Sequence, residues 1–160
     1  MALRGLRLGA LLAGSVAASN PRATRLVMWD PIVHGQEYID ELRADIASAT
    51  PSRSKFIAPD GTMHFNGFSM SAEFQQQLAG LDLIGAVKSS PMSIAQVVSH
   101  ESDAFRELQD RLDGSPLFTY KLAPAPHDWN YVDHVGGILW PQPIVEAIED
   151  FFRPSITPDV

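Results

Sequence analysis

Three places in the chain end an apolar run with side chains that can move protons. Asp30 follows RLVMW, His100-Glu101-Ser102-Asp103 follows the run through Val98, and His127-Asp128 follow LFTYKLAPAP. A histidine beside a carboxylate is a minimal pair for acid–base work at neutral pH, because imidazole titrates there and the carboxylate orients it. Arg7, inside GLRLG, offers a different chemistry. It is a permanent positive charge where a helix is expected to start, so it and the exposed N–H groups of that start could hold a carboxylate or phosphate. His100, Glu101, Asp128, Asp133 and His134 lack the H-x-x-x-H or other compact spacing of a ligand set, so no metal site is expected. The chain has no cysteine, which removes disulfides, thiolate ligands and a Cys nucleophile.

These residues meet only if the runs before them are neighbouring strands. Residues 25–29 read as a short apolar strand covered on both faces, 93–99 as a second apolar strand and 117–122 as a third strand. Helices are expected over 9–19 (apolar all round), 36–49, 72–79 behind a Ser71 cap, 104–112 behind an Asp103 cap, and 143–152. Between them, 50–67 is turn-rich, with a hairpin expected around 59–61. Trp129, Tyr131 and Trp140 read as packing for the last helix. Strands alternating with helices imply a three-layer α/β fold with a parallel sheet, whose chemistry sits at the carboxyl ends of the strands.

With 160 residues, the chain suits one domain. Its formal charge of −7, without a basic stripe, argues against nucleic acid as a partner, and no apolar run is long enough for a membrane span. The opening MALRGLRLGALLAGSVAASNPRA has two readings: a secretory leader over 1–18, or a glycine-flanked turn feeding a buried helix. The second, with a cytoplasmic address, is favoured by how the helix runs through Asn20-Pro21 into the next strand; the first would make the protein secreted.

GLRLG, LVMWDPIVHGQEYIDELR and FNGFSMSAEFQQQLAGLDL together resemble the C-terminal half of an α/β hydrolase, of the serine-aminopeptidase-like, exosortase-associated type. The resemblance covers almost the whole chain and implies one partial domain over 1–160, with 50–90 as a lid-like insert. In that family GLRLG corresponds to the G-x-S-x-G elbow, so Arg7 takes the nucleophile's place and Leu8 supplies an oxyanion N–H. Asp103 falls where the triad acid stands and His127 where the base stands. The implied ancestral activity is ester, amide or thioester hydrolysis on a small acyl substrate, without a cofactor. Arginine has no lone pair to attack with, so the chain is expected to be inactive alone. The resemblance also implies that the strand leading into the elbow and the second oxyanion donor are missing. An open sheet edge would then favour self-association or a partner chain. The alternative function is a binding or assembly module that takes an anion at Arg7.

Overall fold

A computed structural model of the protein describes residues 1–48, 55–125 and 142–153. In chain order its elements are β1 (Ala2–Leu6), α1 (Leu8–Ser19), β2 (Arg25–Trp29), α2 (Gly35–Ser48), β3 (Lys55–Ile57), β4 (Met63–Phe65), β5 (Phe68–Met70), α3 (Ala72–Ala79), α4 (Leu83–Val87), β6 (Ser93–Val98), α5 (Asp103–Leu112), β7 (Phe118–Leu122) and α6 (Gln142–Phe152). Four strands form a parallel sheet in the order β1-β2-β6-β7.

The strand pleat divides the core. Leu26, Met28, Ile94 and Val98 face Ala10 and Leu11 of α1, Leu83 and Val87 of α4, and Phe105 and Leu108 of α5. Val27, Ala95 and Val97, one residue out of step, face Ile144 and Ile148 of α6. This is why LVMW and IAQVV are apolar apart from Gln96, whose buried amide donates to the Phe105 carbonyl: a strand covered on both faces has no solvent side. Each such large side chain contributes roughly 1.5–3 kcal/mol when buried. The three-layer α/β architecture with a parallel sheet is the one expected.

One expectation is overturned. A strand does lead into the turn at 5–9: β1 pairs with β2 over its whole length, Gly5 opposite Met28. ALRGL has no β-branched residue and contains a glycine, so its local preference for strand is weak, and the neighbour β2 imposes the conformation. The sheet therefore has four strands where three were anticipated. The opening segment is built into this sheet and its core, with Ala10 and Leu11 fully buried. Its cleavage would strip β2 of a neighbour. The helix is less enclosed than expected, since Leu12 and Val16 are exposed.

Residues 55–70 make a separate antiparallel sheet, β3-β4-β5. The hairpin around 59–61 is present: Asp60 Oδ1 accepts from the Thr62 N–H at 2.9 Å. That bond holds the Asp60 carboxyl below its ordinary pKa. Ser71 caps α3 as expected, its Oγ accepting from the Phe74 N–H. The buried Gln75 ties α3 to the hairpin by donating to the Gly61 and Met70 carbonyls. The α4 helix, capped by Asp82, was not anticipated. Among the described residues, no helix is long and apolar enough to cross a membrane.

Candidate functional site

The turn between β1 and α1 is sharp because Arg7 takes φ 52° and ψ −122°. A non-glycine residue in that region carries strain of order 1–3 kcal/mol. The turn folds α1 back so closely that a Cβ on Gly5 would run into the backbone of Gly9 and Ala10. Gly9, by contrast, faces open space, so only the first glycine of GLRLG is required sterically. Main-chain bonds hold the turn at the sheet's carboxyl edge: the Arg7 N–H donates to the Trp29 carbonyl at 2.9 Å, and the Arg7 carbonyl accepts from the Ile32 N–H at 3.3 Å.

Arg7 lines a cleft of about 170 Å³ with groups from the segments that follow β2 and β6, including the first turns of α2. The β2–α2 segment supplies His34, Glu37, Tyr38 and Glu41, and the β6–α5 segment supplies His100 and Ser102. The Arg7 guanidinium is 3.9 Å from the Glu41 carboxylate, whose side chain is 66% exposed, so this pair is loose and screened by water. Burial raises the pKa of the Tyr38 phenol; the Arg7 charge opposes that rise and Glu41 adds to it. At neutral pH Tyr38 is thus an uncharged hydroxyl between a cation and an anion.

His100 is held by a relay that the spacing of residues did not reveal. Asp30, fully buried at the end of β2, accepts from the Ser99 N–H and from the Ser99 hydroxyl, both at 2.7 Å. Ser99 Oγ lies 3.0 Å from His100 Nδ1. An ionised Asp30 can only accept, so Ser99 spends its one proton on it, and the histidine must donate from Nδ1. Asp30 and Ser99 are 69 residues apart, joined only by the pairing of β2 with β6. The only hint in the sequence was that both sit at strand ends.

His34 has a different task. Its Nδ1 is 3.4 Å from Asp82 and its Nε2 is 3.3 Å from Glu107. With both nitrogens engaged by carboxylates, it braces the α4 cap against α5.

Asp103 stands one residue inside α5 with a fully exposed carboxylate, 3.5 Å from Arg106. It is not the helix cap: Ser102 is, accepting from the Phe105 N–H at 3.2 Å. The serine wins because its residue has the extended backbone a cap requires, while Asp103 is already helical. The cleft wall passes through Ser102 and Ala104. Leu8 opens α1, so its N–H is one of those without a partner inside the helix. His127 lies outside the described residues, as do Asp128, Trp129, Tyr131, Asp133, His134 and Trp140.

No protein-family model matches the chain, and no curated protein matches it. Solved structures do. The α/β hydrolase GrgF from Penicillium sp. sh18 superposes with a TM-score of 0.57 over 94% of this chain. The fold is that of an α/β hydrolase. At 15% identity the likeness concerns fold alone, and the chain spans 62% of the GrgF chain. In a hydrolase fold, a strained strand-to-helix turn at the carboxyl edge of the sheet is the setting of the nucleophile. The β1–α1 turn of this chain is a strained strand-to-helix turn at that edge, with an arginine at its apex.

Proposed function

We propose that this hydrolase-fold chain performs no serine-based acyl transfer and uses the cleft at Arg7 to bind an anion. The observation that carries the reading is Arg7 itself, at φ 52° on the β1–α1 turn, where a serine nucleophile would otherwise stand. A guanidinium stays protonated and cannot attack a carbonyl. The residue nevertheless occupies a strained backbone position that glycine would take without cost, and its charge opposes the α1 dipole. A bound carboxylate or phosphate offsets both charges at once.

On this reading Leu8, Asp103 and His127 are the remnants of an oxyanion donor and of the triad acid and base. The chain then belongs with serine-aminopeptidase-like, exosortase-associated hydrolases, residues 50–90 are its lid, and its ancestral substrates were small esters, amides or thioesters.

A fluorophosphonate probe and a panel of p-nitrophenyl esters test the first half. No serine is expected to be labelled and no ester turned over above background; stoichiometric labelling of a single serine would sink the reading. Butyrate tests the second half. It is expected to raise the melting temperature of the wild-type chain and leave that of Arg7→Gly unchanged.

A further inference from the structure

The cleft at Arg7 is too small to enclose a ligand alone, since small-molecule sites run to roughly 300–1,000 Å³. It does not stand alone. Tyr38 also lines a second space of about 420 Å³, and so does Leu8, the residue after Arg7. This space lies between α2 and the β3–β5 sheet, walled by Leu42, Ile46, Met63, Phe65 and Met70, with no charged side chain on its lining among the described residues. Phe68 and Phe74 stand at its rim, 79% and 46% exposed. A groove of this size, open to solvent at Phe68 and Phe74, leaves apolar surface uncovered close to a cation, and such surface marks a binding site. Its methionines can adapt to more than one shape of guest.

We infer that the ligand is an amphiphilic carboxylate, a fatty acid: its head at Arg7, its alkyl tail in the cavity between α2 and the β3–β5 sheet, passing Tyr38. The inference rests on the anion reading of Arg7 and adds to it the class of ligand. Charge places the head: among the described residues Arg7 is the arginine or lysine of the cleft, while Lys55, which lies over the Phe65 ring of the cavity wall, is already paired with Asp45 at 3.0 Å. The hydrophobic effect places the tail, and its contribution grows with every methylene buried. Glu41 is displaced from its loose contact with Arg7 by the incoming carboxylate.

The test is calorimetric titration of the full chain with butyrate, octanoate and dodecanoate, and with octanol as the uncharged control. Affinity is expected to rise by up to roughly fourfold for each added methylene, until the cavity is full. Stoichiometry should be one. Arg7→Gly should weaken the three acids by a similar factor and leave octanol unchanged. Phe68→Asp and Phe74→Asp change exposed positions, so the fold tolerates them; they should flatten the dependence on chain length and spare butyrate. Equal affinity for butyrate and dodecanoate overturns the tail assignment and leaves the anion cleft standing. Binding of octanol without any of the acids overturns the anion reading, and the fatty acid with it. No binding by any of the four overturns both.

Discussion

Asp30 and Ser99 show how a single proton decides the state of a site. Ser99 donates its hydroxyl hydrogen to Asp30 and accepts from His100, so the imidazole carries a hydrogen on Nδ1. Asp30→Asn turns one acceptor into an amide donor. The Ser99 hydroxyl is then free to donate toward His100, which favours the opposite tautomer. Long-range nitrogen-15 correlation spectra should show the neutral ring protonated at Nδ1 in the wild type and shifted toward Nε2–H in the variant; an unchanged tautomer would remove the relay. The variant should also lose about 1–3 kcal/mol in urea unfolding, because a buried hydrogen-bonding group loses its match. Arg7→Gly should move stability the other way, by about 1 kcal/mol, through relief of the positive φ.

Within the β1–α1 unit the two glycines of GLRLG predict opposite outcomes. Gly5→Ala forces a methyl into the Gly9–Ala10 backbone, and neither side can yield without separating α1 from the sheet. A loss of more than 3 kcal/mol in denaturant unfolding, or no folding at all, is expected. Gly9→Ala fills open space in a helix and should gain about 0.5–1 kcal/mol. Comparable effects from both would mean the turn is not as sharp as described. The same unit marks where the sequence was readable. Continuous apolar runs and a serine ahead of a helix are local signals, so β2, β6 and the Ser71 cap could be placed from residue types alone. β1 is a strand only because β2 lies beside it, and no local pattern carries that. The candidate site divides likewise. Arg7 stood out by its position in GLRLG, whereas the contact of Asp30 with Ser99 exists only once two distant strands pair.

At the scale of the whole molecule, the β1 edge of the sheet is open to a further strand among the described residues. Among the described residues β1 pairs only with β2. Leu12 and Val16 of α1 are exposed on one face beside it. On the other, a cleft of about 410 Å³ runs past Leu6, Trp29, Val145 and Ile148, with Arg4 and Glu149 also on its lining. Apolar surface therefore wraps both faces of an edge whose backbone groups can accept another strand, and Arg4 is the one charged residue of that strand. Such an edge recruits a neighbour even in a chain with a net charge of −7, because the repulsion is long-ranged and screened while the strand pairing is local. We therefore expect the purified chain to self-associate or to bind a second polypeptide along β1. Multi-angle light scattering should report species larger than the 17.5 kDa monomer. Replacing Leu12 and Val16 together by lysine should shift the distribution toward monomer without lowering the melting temperature, since both side chains already face water. A monodisperse monomer that melts cooperatively at about 45–65 °C would show that the chain covers its own edge, and the expectation of a partner would fall.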